Sequence, residues 1–186
     1  LIVDQNNTNP VDIYIVNSTD AYKNQNITIT YGTPITANAT LVYSNSGNAN
    51  LYRDGSTVSL ATETITLGGK ATGYAYLANV SGNTNYTSNT TGATYYLFVN
   101  NATLQGSISG SSVTYPTTVN VGSSESNTGD GDVNYTLWRN DTLVSWSTTL
   151  GSAPSNDTVQ LGAGVYYYVL NSTGGANYSS NSNIAT

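Results

Sequence analysis

LYRDGSTV, residues 51–58, comes back as LWRNDTLV, residues 137–144. In both, an aromatic and an Arg lead out of an apolar run into a turn. The turn is Asp54-Gly55 in the first copy and Asn140-Asp141 in the second. Asp-Gly between alternating segments is a strong hairpin signal. Working outward, TITLGG (64–69) matches TVQLGA (158–163), and YLANVSGNTNY (76–86) matches YVLNSTGGANY (168–178) without a gap. Upstream, ITYGTPITANAT (29–40) matches VTYPTTVNVGS (113–123). Such self-similarity marks tandem units.

The apolar residues sit in short strings such as ITITY (27–31), ATLVYS (39–44), YAYLA (74–78) and VYYYVL (165–170), bounded by Gly, Asn, Ser and Asp. Alternation with β-branched and aromatic residues is the strand pattern, at the spacing of a sandwich or barrel. No run of helical periodicity interrupts it. Roughly seven short strands over about 90 residues per copy is the size of an immunoglobulin-like sandwich. The expected class is all-β: an extension over 1–16, one domain over 17–103 and a second over 104–186.

Composition excludes several functions. There are four basic residues (Lys23, Arg53, Lys70, Arg139) against ten acidic ones, for a net charge of -6. Nucleic acid binding needs clustered Lys and Arg on the phosphates. No stretch approaches the ~18 apolar residues of a membrane span. The chain has no Cys, His or Met. Without His or Cys a Ser nucleophile has no base of the usual kind, and zinc lacks its usual ligands. No enzyme and no cofactor is expected. Because the chain begins at Leu1, it reads as a processed chain or an excerpt.

The two copies end differently. After Thr94 the first continues into YYLFVN, expected to be the last strand of its sandwich; the matching Thr186 closes the sequence. The second domain is therefore expected to lack its last strand and to expose an unpaired edge, a template for another chain. The front of the chain carries a surplus. Equating Val16 with Val99 makes Val11–Val16 a last strand without a domain, with Val11, Ile13 and Ile15 on one face. Leu1, Ile2 and Val3 form a second candidate, separated from the first by Asn9-Pro10. Either can fill the open edge of domain 2 in a neighbouring copy, beside Tyr166, Tyr168, Leu170 and Ile184. The contact is head-to-tail, so repetition gives an open homopolymer. Direct continuation of Thr186 into a further repeat is the alternative.

The stretches TGDGDVNYTLWRNDTLV and LGAGVYYYVLNSTGGANYSS, with their first-copy counterparts, resemble the immunoglobulin-like repeats common in archaeal cell-surface proteins. The spare-strand arrangement is similar to archaeal extracellular filaments, thread-like and bundling pili, whose subunits join by donor-strand complementation. That resemblance implies a structural subunit of a glycosylated extracellular appendage serving adhesion or cell–cell contact. An adhesin or S-layer-associated repeat that binds carbohydrate or a partner cell is the other reading. A chain poor in oxidisable and charged residues also suits an acidic, hot exterior.

Thirteen N-x-S/T sequons begin at Asn6, Asn17, Asn26, Asn38, Asn79, Asn85, Asn89, Asn101, Asn134, Asn140, Asn156, Asn171 and Asn177. With 25 Asn and 51 Ser plus Thr in 186 residues, chance gives about seven. Covalent N-linked glycans are expected, the turn positions before Asn26 or Asn134. Three further candidates have plainer readings. Asp130 and Asp132 of GDGD offer oxygens to Ca²⁺ or simply form a turn. Lys23 or Lys70 could join an Asn side chain with Glu63 or Glu125 assisting. Trp138 and Trp146 make either a sugar platform or packing.

Overall fold

The computed structural model of the protein describes residues 1–6, 10–18 and 20–186. The Asn7 and Thr8 of the first sequon, the Thr19 of the second and the Asn9 of the Asn9-Pro10 break lie outside the described residues. Two compact units divide the chain, Leu1–Asn100 and Asn101–Thr186.

Unit 1 runs through β1 (Val11–Asn17), β2 (Asp20–Lys23), β3 (Ile27–Thr30), β4 (Ile35–Leu41), β5 (Ala49–Arg53), β6 (Ser56–Val58), β7 (Thr62–Ile65), β8 (Lys70–Val80) and β9 (Thr94–Asn100). One sheet has the order β2-β1-β4-β7, the other β3-β9-β8-β5-β6. Alternation sends Ile13, Ile15, Ile35 and Ala37 inward from the first sheet. Leu51, Tyr76, Ala78, Leu97 and Val99 meet them from the second, forming one core. The Asp54-Gly55 turn has both residues at positive φ, 49° and 79°, the two-residue turn whose twist matches a hairpin.

Unit 2 holds β10 (Gly106–Ser109), β11 (Val119–Glu125), β12 (Tyr135–Arg139), β13 (Thr142–Trp146), β14 (Asp157–Val159), β15 (Tyr168–Ser172) and β16 (Asn181–Ala185). Its sheets are β10-β11-β14 and β13-β12-β15-β16. Asn140 and Asp141 repeat the positive-φ turn at 43° and 62°. Two mainly antiparallel sheets packed over an alternating core make each unit an immunoglobulin-like sandwich.

The front of the chain corrects one expectation. Val11–Val16 is no separate extension: β1 is paired on both edges, with β4 (Ile13 opposite Ala39, Ile15 opposite Ala37) and with β2 (Ile15 opposite Tyr22). Ile13 and Ile15 are buried in unit 1 itself. Val11, Ile13 and Ile15 do share one face, and that face belongs to the chain's own domain. The counterpart of Ile13 is Ile108 in β10, which lies opposite Ser123 as Ile13 lies opposite Ala39.

Candidate strand-acceptor groove

The two units repeat the same set of hydrogen bonds. Arg53 and Tyr76 Oη both donate to Glu63 Oε1, at 2.8 and 2.6 Å. Arg139 and Tyr168 Oη both donate to Asp157 Oδ2, at 2.5 and 2.8 Å. Each trio ties the central strands of one sheet to the outer strand of the other. Burial raises the pKa of both tyrosines; Glu63 adds to this at Tyr76, and at Tyr168 the rise from Asp157 is opposed by Arg139, so both remain donors. Two places upstream, Tyr74 Oη donates to Gly68 O and Tyr166 Oη to Gly162 O, both at 3.1 Å. Between them, Ala75 N donates to Asp54 Oδ1 and Tyr167 N to Asn140 Oδ1, both at 2.9 Å. Thus Tyr74, Ala75 and Tyr76 correspond to Tyr166, Tyr167 and Tyr168; the stretch before them is two residues longer in unit 1, where β8 has an irregularity between Lys70 and Tyr74.

The correspondence stops at β9. In unit 1 this strand is antiparallel to β8, with Leu97 opposite Tyr74, and parallel to β3, with Leu97 opposite Ile27 and Val99 opposite Ile29. Leu97 and Val99 are buried. In unit 2, β16 pairs with the far half of β15, Leu170 opposite Ala185 and Ser172 opposite Asn181. That bond pattern continues the isolated Val80–Asn89 bridge of unit 1, not β9. Among the described residues no strand lies beside Ser112–Tyr115 or beside Val165–Tyr167. A groove of about 810 Å³ opens there instead, walled by Val113, Tyr115, Val165 and Tyr166 and floored by Val121 and Tyr168. Val165 is 75% exposed.

Of the four acceptor residues read from the sequence, Tyr166 and Tyr168 line this groove. Leu170 and Ile184 do not: they lie in the closed half, where a Cβ on Gly106 would meet both.

The remaining N-terminal candidate is positioned by a small strap. Asn6 N donates to Asn85 O at 2.8 Å and Thr87 N donates to Asn6 O at 3.1 Å. In unit 2, Ala102 N donates to Asn177 O at 2.9 Å and Ser179 N to Ala102 O at 3.0 Å. Both straps are parallel bridges, Asn6 with Tyr86 and Ala102 with Tyr178. Asn6 therefore stands where Ala102 stands. Counting back from each, Leu1-Ile2-Val3 stands where Leu97-Phe98-Val99 of β9 stands. All three are exposed, Leu1 completely. The signal was present in the sequence as LIV against LFV, but the apparent match of Val16 with Val99 concealed it.

The other candidates are distributed elsewhere. Asp130 is buried and accepts from Tyr135 Oη at 2.6 Å, while Asp132 Oδ2 accepts from Ala176 N at 2.7 Å. Their carboxylates serve different partners, and no group of three or more His, Cys, Asp or Glu able to hold a metal is found among the described residues. Lys23 pairs with Asp12 and Lys70 with Asp54, each at 2.7 Å, whereas Glu63 is held by Arg53 and Glu125 accepts from Asn127 N. Neither lysine is arranged for an isopeptide. Trp138 is half-buried with Nε1 donating to Thr136 Oγ1, and Trp146 is exposed. A second depression of about 690 Å³ is walled by Trp138, Tyr167, Asn140 and Asn171.

The sequon asparagines differ in how their amides are used. Asn101 Nδ2 donates to Gly175 O and Asn177 Nδ2 to Gly129 O. Asn26 Oδ1 accepts from Tyr96 N, Asn38 Oδ1 from Thr40, and Asn79 Oδ1 from Asn50. The Oδ1 atoms of Asn17, Asn134 and Asn171 are buried. Asn85, Asn140 and Asn156 are exposed, and Asn89 is half-buried.

No family model and no curated protein matches the chain. Among solved structures, a chimeric titin Z1Z2-Z1Z2 tandem functionalized with a GRGDS exogenous peptide from fibronectin is similar over 87% of this chain and 95% of that one, at 16% identity and a TM-score of 0.32. The immunoglobulin-like assignment rests on the strand order of each unit. No helix among the described residues is long and apolar enough to cross a membrane.

Proposed function

We propose that the chain is a structural subunit of a glycosylated extracellular filament that grows head-to-tail. The Leu1–Val3 segment of one copy enters the groove of unit 2 in the next and takes the place β9 takes in unit 1. One observation carries this reading: an open groove beside Val165–Tyr167 and Ser112–Tyr115, and an exposed Leu-Ile-Val that counts back from its strap as Leu97-Phe98-Val99 counts back from the strap at Ala102. The donor pairs antiparallel with Val165–Tyr167 and parallel with Ser111–Val113, Leu1 opposite Tyr166 and Val3 opposite Val113. Leu1 and Val3 point inward.

With Ile13 and Ile15 kept at home, the joint is modest. Two buried side chains contribute about 1.5–3 kcal/mol each. Ordering the segment costs about 1–2 kcal/mol per residue. Hydrogen bonds to both walls add about 0.5–1.5 kcal/mol each, and the loss of translational and rotational freedom on association opposes them. Such a joint forms and reopens unless further residues join it. N-glycans on exposed turn asparagines supply the solubility that so few charges do not.

The test is deletion of Leu1–Val3 from the full chain, read by negative-stain microscopy and sedimentation. Loss of filaments with both sandwiches still folded is expected; filaments that persist overturn the proposal. The depression beside Trp138 and Tyr167 favours a second reading, an adhesive repeat that stacks a sugar on these rings. Saturable binding of an oligosaccharide to a stable monomer, lost in Trp138→Ala, would establish it instead.

A further inference from the structure

Unit 1 carries the bulk on the outward face of β9. Tyr96 and Phe98 stack there with ring centroids 6.1 Å apart, and β8 answers with small residues, Ala75 and Gly73. A Cβ built on Gly73 would lie 3.0 Å from Phe98 Cε1 and 3.3 Å from Tyr96 Cβ. The ring thus lies on the glycine because nothing projects from it. Unit 2 reverses this. Tyr167 stands at Ala75, and Val165 directly precedes Tyr166 as Gly73 directly precedes Tyr74; both are exposed. The incoming Ile2, at the position of Phe98, is smaller.

Bulk has moved from the entering strand to the receiving one. We infer that unit 2 of one copy is selective for the Leu-Ile-Val segment of a second copy over strands of the β9 type, and that Val165 makes the distinction. This rests on the filament reading and adds to it a discriminating residue. In unit 1 an aromatic ring at the middle position rests on a bare glycine, whereas in unit 2 the residue before Tyr166 is the branched and exposed Val165. Packed surfaces resist such added volume. Leu and Val at the flanking positions are common to both strands, so the middle residue is the one that differs in kind. The arrangement also keeps the two grooves apart: β9, which already belongs to unit 1, is a poor fit for unit 2.

The test uses the full chain carrying Leu1→Asp and Val3→Asp, which disables its own donor and leaves unit 2 unchanged. It is titrated with two peptides, LIVDQNN and LFVDQNN, by isothermal calorimetry. The isoleucine peptide should bind about ten-fold tighter or more. The same titration with Val165→Gly added should erase or reverse that preference, with circular dichroism confirming the fold. Equal binding of both peptides to Val165, or a preference unchanged by the glycine, overturns the inference while leaving strand addition in place. If neither peptide binds, strand addition falls with it.

Discussion

Tyr76 gives its phenolic proton to Glu63 across 2.6 Å, and Glu63 also receives Arg53 at 2.8 Å. Tyr76 is fully buried, and the bond joins strand β8 to β7 of the facing sheet. Removing the hydroxyl should leave the carboxylate short of a donor. Tyr76→Phe is expected to destabilise unit 1 by about 1–3 kcal/mol, read as a lower denaturant midpoint with an unchanged slope. A neutral substitution would mean that Arg53 alone satisfies Glu63.

Acid should act through Asp54. Burial pushes its carboxyl up, but hydrogen bonds from Lys70 and the Ala75 amide, with the Lys70 and Arg53 charges, hold it below its ordinary value. The folded pKa is therefore lower than the unfolded one. Its stabilisation is complete above the unfolded carboxylate value of about 3.9 and is lost as pH falls through the folded value. Both partners are a third or more exposed, so the effect is small, within about 1 kcal/mol. Thermal unfolding followed from about pH 6 to about pH 2 should show a shallower acid limb in Asp54→Asn than in the unaltered chain.

Ile13→Asp discriminates between the two N-terminal runs. With β1 inside unit 1, a carboxylate there replaces a buried side chain and should cost about 3–5 kcal/mol or more, lowering the unit 1 transition itself. A variant that keeps a stable unit 1 and loses only assembly would restore Val11–Val16 as the donor.

Glycan occupancy should follow the use of each amide. Asn85, Asn140 and Asn156, exposed outside the strands, are expected to be modified. Asn101 and Asn177, whose Nδ2 atoms are donors to backbone carbonyls, are expected to be unmodified. Peptide mapping of native material checks the pattern, and an intact mass at the bare 19.5 kDa would remove the glycoprotein reading.

Much of this was legible in residue types. LYRDGSTV and LWRNDTLV gave away both hairpins because Asp, Gly and Asn are the residues that accept positive φ. YYLFV announced itself as β9 through its length and composition. What could not be read was which partner an alternating run would choose. Val11–Val16 carries the same apolar face whether it fills its own sandwich or another's; only the pairing with β2 and β4 decides. The straps at Asn6 and Ala102 were illegible for a different reason: they are backbone bonds, indifferent to side chain, in a polar stretch. The Arg-carboxylate-Tyr trios are not legible in sequence because Glu63 and Asp157 are different residue types, set 13 and 11 residues from their tyrosines.

Strand β9 is also the only covalent path from unit 1 to unit 2, leading through Asn100 into the strap at Ala102. A pull applied along that strand acts across its hydrogen bonds to β8 and β3. Tension therefore loads the bonds in shear, all together, instead of opening them one at a time from an end. The last strand of the sandwich is at the same time the tether by which the sandwich is held, and its resistance to extension should greatly exceed what its thermal stability suggests.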